Sequence, residues 1–471
     1  MKVLSRENLP QKNIRPIKVL QFGTGNFMRG FPDWVVDLLN EKAGFNGNIQ
    51  MIQVHGRKPA YGINAQDGLY HVLIRGYQNG ETVEENRLVD SVVGAINPYL
   101  EYPEFLSYGE LPELEFIFSN TTEAGIYYDE KDKDRTVPPE SFPGKLTALL
   151  FHRYDHFKGD PKKGLFILPC ELIEDNGKKL KEIVLRYAEL WDLPAGFSRW
   201  VDEKNSFCNT LVDRIVPGYP VDMGSKIQEK LGYKDEQLVM AEPFHFWAIE
   251  GPDVLRHKFP AEKIGLDVKV VKDLKPYRTR KVRILNGAHT AMVPVAYLKG
   301  LRLVKEAVDD PETGKFLKET IFEEIIPSLD PPKEELHRFA NDVIDRFKNP
   351  FIKHQLSAIA LNSISKFKVR VLPSILEYIK RREKAPKNLA RSFAALIVFY
   401  KGHYGGFQIP LNDKPQILAF FDKIWKIKDA EGIVESVFAK LDFWERDLNL
   451  VPHLSHEVIK EVERLLAEEK K

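Results

Sequence analysis

The stretch IKVLQFGTGNFMRG, residues 17–30, decides how this chain reads. An apolar run, Ile17 to Phe22, leads directly into Gly23-Thr24-Gly25 and then into FMRGFPDWVVDLL, whose pattern is helical in spite of Pro32. An apolar run closed by glycine is a buried strand, and strand, glycine turn and helix in that order make the context of a dinucleotide-binding fold. Glycine allows the tight turn and lets backbone amides approach a diphosphate at the helix amino terminus. Met28 stands where the usual fingerprint has its third glycine, so this stretch alone is also compatible with a turn that binds nothing.

Three further buried-strand patterns follow: NIQMIQVH at 48–55, ELEFIFSNTT at 113–122 and GLFILPC at 164–170. Short apolar runs separated by helical patterns predict a parallel α/β sheet. After the second strand, where an acidic residue would take the ribose hydroxyls, the chain has Gln53 and His55 and then Arg57 and Lys58, which leaves NAD against NADP open. The simpler reading of Arg57 and Lys58 is a solvated loop, since exposed basic residues after strands are frequent. The third strand ends in SNTTEAG, whose small polar residues and Gly125 suit either a loop over a cofactor or a plain turn.

From about residue 277 helical periodicity runs to 471, broken at Asp309-Asp310-Pro311, Asp330-Pro331-Pro332 and Asn349-Pro350. A chain of 471 residues exceeds the size of a single core, so two domains are expected: residues 1–276, of Rossmann type, and 277–471, mainly helical. Lys and Arg number 69 against 68 acidic residues, and the net charge of +1 provides no field to draw nucleic acid or an anionic membrane. The first twenty residues lack the apolar core of a secretory signal, and no run approaches the roughly 18 apolar residues of a membrane span, so a cytoplasmic protein is expected. Cys170 and Cys208 have no metal-like spacing. His152 and His156 stand one helical turn apart around Asp155, but no carboxylate falls at a familiar catalytic offset, and no metal is expected.

The segment KVRILNGAHTAM, 281–292, sets three polar side chains in an apolar helix. At about 100° per residue, with Lys281 at zero, His289 falls near 80° and Asn286 near 140°, roughly on one side. Singly, each has an ordinary explanation: a snorkelling lysine, an asparagine that satisfies a loop, a hydrogen-bonded core histidine. Together they resemble the wall of a cleft.

Lys281-x4-Asn286-x2-His289 resembles the catalytic signature of the mannitol dehydrogenase family of long-chain, polyol-specific dehydrogenases. The similarity covers nearly the whole chain and includes FGTGNFMRG, SNTTEAG, NSFCNTLVDRIVP (205–217), AEPFHFWAIEGP (241–252), RFKNP (346–350) and LNSISKFKVRVLP (361–373). PCELIEDNG at 169–177 is closer to the hexuronate-reducing branch than to the mannitol branch. The resemblance implies NAD-dependent interconversion of a sugar acid's ketone and alcohol without metal, with NADP not excluded and a monomer expected. Another keto-uronate or a polyol of the same family is the alternative substrate. A catalytically silent nucleotide- or sugar-acid-binding regulator is the non-enzyme alternative, and it would have no need of the proton donor.

By the same resemblance, Lys281 is the general acid or base, Asn286 and Asn176 hold the reacting oxygen, and His289 orients substrate and lysine. The cofactor would be held by Phe22, Gly23, Gly25, Asn26, Phe27, Arg29, Thr121 and Glu123, and the substrate by Asp213, Lys366 and Arg283. Ala358 stands where the mannitol branch has a substrate-binding arginine, so the carboxylate contact does not carry over; Arg283, Lys366, Lys368 and His245 are candidates. Lys368 and Arg370 read as a solvated helix face. A free lysine near pKa 10.4 is a poor base at neutral pH, and burial beside other cations is the usual way to lower it.

Overall fold

The computed structural model describes residues 1–8, 15–122 and 124–470. The chain divides into two compact units, Met1–Arg75 with Thr82–Leu274 and Gly76–Glu81 with Lys275–Lys471. The first contains β1 (Ile17–Phe22), β2 (Asn48–Ile52), β3 (Tyr70–Gln78), β4 (Glu81–Val89), β5 (Val92–Ile96), β6 (Phe116–Ser119), β7 (Phe166–Pro169) and β8 (Ser206–Phe207). It continues with β9 (Asn209–Asp213), β10 (Val239–Ala241), β11 (Phe246–Glu250) and β12 (Val268–Val271). The tip of the β3–β4 hairpin, residues 76–81, groups with the second unit.

Six strands form one sheet in the order β5-β2-β1-β6-β7-β8, and the registered pairs are parallel. Counted along that sheet the order is third, second, first, fourth, fifth, sixth, which defines a Rossmann fold with its switch point between β1 and β6. Both faces are buried, as a parallel sheet requires. Val19, Met51 and Phe118 belong to one core with Trp247 and Phe259. Leu20, Phe22, Ile117 and Ile167 belong to the other, with Phe142, Leu149 and Leu180. Each such side chain contributes about 1.5–3 kcal/mol of burial.

Helices α1 (Asn26–Gly30) and α2 (Pro32–Lys42) follow β1, and α3 (Phe142–His156), α4 (Asn176–Leu190) and α5 (Ala195–Lys204) cover the sheet further on. The expected continuous helix is broken at Phe31 (φ −139°, ψ −78°), because Pro32 restricts the residue before it and then opens α2 at its first position. Two three-stranded sheets, β9-β11-β12 and β10-β3-β4, and a short pair of Lys2–Val3 with Tyr233–Lys234 also belong to this unit. The β3–β4 turn is Asn79-Gly80, both with positive φ (53° and 83°), the geometry that this dipeptide favours in a two-residue hairpin.

Apart from that hairpin tip and the short pair His403–Tyr404 and Phe407–Gln408, the described residues of the second unit are mainly helical. Its elements of interest are α6 (Lys275–Arg280), the π-helical segment Lys281–Asn286, α7 (Gly287–Leu298), α8 (Lys333–Phe347), α9 (Ser363–Arg370), α10 (Lys387–Phe399) and α11 (Leu454–Glu469). Every residue of α7 is buried except His289. It packs on α10, which in turn packs on α11. Pro294 inside α7 has no N–H to give the preceding turn, and the Ser392 hydroxyl donates to the Ala291 carbonyl at 2.8 Å. Among the described residues no helix is long and apolar enough to cross a membrane.

Candidate active site

In the first unit the switch point is built by glycine. Gly23 has φ +120°, and a Cβ there would lie 2.8 Å from the Asn120 carbonyl oxygen, so no other residue fits without strain. Asn120 follows β6 and donates its amide to the Phe22 carbonyl at 3.1 Å, which closes the crevice floor. Gly25 caps α1 without a side-chain hydrogen bond and has nothing within 4 Å of its Cβ direction. The first amides of α1 are therefore open to an anion, and the loop fits the diphosphate of a dinucleotide. The third-glycine role falls two residues later than the fingerprint: a Cβ on Gly30 would meet Val216 Cγ1 at 2.7 Å, whereas Met28 is a buried core residue.

Several of the expected cofactor residues have other work. The Phe22 ring is buried against Phe142, 4.9 Å between centroids, so only its backbone borders the crevice. Arg29 donates to Asn26 Oδ1 at 2.7 Å and to the Gln237 carbonyl, and lies over Tyr70; its charge is an internal anchor, not a free cation for a diphosphate. Phe27 packs edge-on against Phe31. Thr121 turns inward, its amide and hydroxyl both donating to the buried Glu171 carboxylate at 3.0 and 2.9 Å. Glu123 lies outside the described residues. After β2, the Gln53 amide donates to the carbonyls of His55, Gly56 and Lys58, and Arg57 pairs with Glu140 at 2.6 Å.

Asn176 is a correction of another kind. It is fully buried; its Nδ2 donates to the Pro169 and Glu171 carbonyls at 2.9 and 3.1 Å, and its Oδ1 accepts from Gly177 and Thr210. An amide engaged at both ends ties β7, α4 and β9 together and has nothing left for a substrate oxygen. Asp213 ends β9, buried opposite Phe246 of β11. His245 is spent on backbone: its Nδ1 bonds the Pro243 carbonyl and its Nε2 accepts from the Asp267 amide, while burial and the nearby Arg214 hold its pKa at about 4. It is not a cation for a carboxylate. His152 and His156 both face Glu110, at 2.8 and 4.0 Å.

In the second unit the expected α-helix over 281–292 changes type. Lys281–Asn286 is π-helical, and the Gly287 amide donates to the Val282 carbonyl five residues back. An i→i+5 turn takes more residues than an α turn, so Asn286 returns above Lys281. His289, three residues further along an ordinary α-helix, comes next in the line. The π turn thus sets positions 281 and 286 more nearly in line along the helix than a uniform α-helix would. Gly287 at the junction has a packing reason: a Cβ there would lie 2.9 Å from the Arg370 carbonyl oxygen, where the last turn of α9 comes against it.

The His289 ring is stacked on Phe347, 3.8 Å between centroids, with His354 edge-on at 5.3 Å. Burial, then the charges of His354, Arg346 and Arg370, hold its pKa well below the ordinary histidine value, so it is neutral. Its Nε2 is buried and has no hydrogen-bond partner among the described residues. Lys366, on α9, donates to the Ile359 carbonyl at 2.8 Å, and burial lowers its pKa. Arg283 points elsewhere. It lines a cleft of about 1820 Å³ with Arg280, Glu335, Glu377, Arg381 and Arg446, and neither Lys281, Asn286 nor His289 borders that cleft.

A Rossmann sheet with a glycine turn, followed by a helical unit that aligns a lysine, an amide and a neutral imidazole, has the make-up of a dehydrogenase with a separate substrate unit. The chain belongs to the mannitol dehydrogenase family: residues 17–263 match the mannitol dehydrogenase Rossmann domain and residues 273–466 the mannitol dehydrogenase C-terminal domain. It is accordingly an oxidoreductase of the secondary-alcohol dehydrogenase type. An altronate oxidoreductase of Bacillus subtilis is 48% identical over 94% of this chain and 91% of its own length. One of Yersinia enterocolitica is 46% identical over 99% and 98%. Among solved structures, a D-sorbitol dehydrogenase in substrate-free form superposes with a TM-score of 0.82 at 22% identity, covering 99% of this chain and 96% of that one. A Pseudomonas fluorescens mannitol 2-dehydrogenase, in a ternary complex with NAD and D-mannitol, gives 0.66 at 22% identity, covering 99% and 97%.

Proposed function

We propose that the protein interconverts D-tagaturonate and D-altronate with NAD(H). The observation that supports the chemistry is the π-helical segment Lys281–Asn286, whose i→i+5 turn brings positions five apart toward one side of the helix. The substrate rests on relatives named altronate oxidoreductase at 45–48% identity over more than nine-tenths of the chain. NAD is favoured over NADP, in keeping with the pairing of Arg57, one of the two cations after β2, with Glu140.

A bound nicotinamide supplies hydride in reduction and takes it in oxidation. Gly23, Gly25 and the first amides of α1 would hold its diphosphate. Lys281 gives a proton to the ketone oxygen as that oxygen gains charge, and in the reverse direction removes it from the alcohol. The Asn286 amide donates to the same oxygen, a contribution of about 2.7–4 kcal/mol for one such donor. His289, neutral and fixed by its stack on Phe347, presents Nε2 to the substrate.

The test is an assay of NADH and NADPH oxidation with tagaturonate, fructuronate and fructose, for wild type and Lys281→Ala. The expected result is fastest turnover of tagaturonate with NADH, and a loss of about 10²–10⁴-fold in the variant. Equal turnover in Lys281→Ala would refute the role of Lys281, and preference for fructuronate or fructose would refute the substrate.

A further inference from the structure

We propose that Arg370 holds the carboxylate of the acidic sugar, with the neutral imidazole of His289 beside it supplying a hydrogen bond. This rests on the reading of the site given above and names the one contact that reading lacks, the partner of the substrate's negative charge.

Of Lys366, Lys368, Arg283 and Arg370, two are engaged by other groups and one faces a different cleft. Lys366 gives its ammonium to the Ile359 carbonyl at 2.8 Å. Lys368 pairs with Glu445 at 2.8 Å on the outer face of α9. Arg283 lines the separate cleft with Glu377. Arg370 has no such commitment. Its guanidinium is partly buried, reaches Thr290 Oγ1 at 3.5 Å from Nη1, and has no carboxylate of the described residues within ion-pairing distance.

Its place is fixed by backbone. Arg370 is the last residue of α9, its carbonyl lies against Gly287, and α9 packs on both α7 and the π segment. Thr290, which it touches, follows His289 directly, and its charge acts on the His289 ring. A partly buried guanidinium without a counter-charge is costly, as is a buried imidazole nitrogen without a partner, and one ligand carboxylate answers both. Arginine presents a planar fork that matches a carboxylate in two parallel hydrogen bonds. In a keto-hexuronate the carboxylate lies at the far end of the chain from the ketone. The proposal therefore takes the cation from the neighbouring helix α9, which packs on the segment that carries Lys281.

The experiment compares wild type, Arg370→Met and Arg370→Lys with tagaturonate and with the neutral ketoses tagatose and fructose, using NADH. The ratio of kcat/KM for tagaturonate to that for the neutral ketose is the readout, since a merely structural loss lowers both. The expected result is a fall in that ratio of roughly 10–100-fold for Arg370→Met, mostly in KM, with Arg370→Lys between it and wild type. An unchanged ratio in both variants would overturn the proposal while leaving the uronate reading intact. A wild type that does not favour tagaturonate over neutral ketoses would overturn the reading itself. If Arg370→Met does not fold, the Arg370→Lys ratio decides: unchanged, it counts against the arginine fork.

Discussion

The imidazole of His289 lies on the ring of Phe347, 3.8 Å between centroids and 16° from parallel. In the unfolded chain this histidine takes a proton near pH 6.5; in the fold, burial and the charges around it push that point well lower. As pH falls below about 6.5 the unfolded chain therefore binds a proton that the folded one refuses, and stability falls with it. His289→Gln removes this contribution. Its melting temperature should drop less than that of wild type between pH 7 and pH 5, and two parallel curves would count against an imidazole kept neutral by the fold.

Asn286 is expected to act on the transition state and not on cofactor binding. Asn286→Ala should lower kcat by about 10²–10³-fold while NADH affinity, followed by fluorescence titration, stays within twofold of wild type. A kcat within tenfold of wild type would remove Asn286 from the reacting oxygen.

Gly287→Ala places a methyl group 2.9 Å from the Arg370 carbonyl oxygen, a contact with backbone that cannot rotate away. The expected cost is about 1–3 kcal/mol in urea unfolding, together with a lower kcat/KM because the end of α9 is displaced. Full stability and full activity in this variant would show that the two segments are not in contact.

Asp33 in α2 is fully buried, and burial raises its pKa from 3.8 to about 7 despite the hydroxyl of Tyr70 at 2.7 Å. The folded state thus keeps a proton that the unfolded state has released. Stability contributed at this site falls as pH rises from about 4 to about 7 and then levels off. Asp33→Asn leaves an acceptor for Tyr70 and removes the ionisation, so it should gain melting temperature over wild type at pH 8 and gain none at pH 4. A difference that is the same at both values would contradict a raised pKa.

The strands β1, β2, β6 and β7 were legible because a parallel strand buried on both faces must be apolar throughout, and Gly23 because no other residue takes its backbone. The hairpin of β3 and β4 carries a local signal as well, the Asn79-Gly80 pair, whose two positive φ angles suit a two-residue turn. Composition cannot separate a π turn from an α turn, so the alignment of Lys281 with Asn286 was only approximate in the sequence. Arg370 read as a solvated position because it alternates with Lys368. The structure separates the two through the close approach of α9 to Gly287, a long-range contact that no local pattern encodes. Asn176 misled for the opposite reason: a polar residue at a motif position looks available until its hydrogen bonds are known.

The near-complete burial of α7 has a consequence for how such an enzyme acquires a new substrate. Eleven of its twelve residues are locked in the interior, so random change along it destroys the protein before it alters preference. Adaptation, natural or in a directed-evolution library, is steered instead toward the half-exposed positions of α9, where a single exchange can redraw the ligand's surroundings without touching the scaffold.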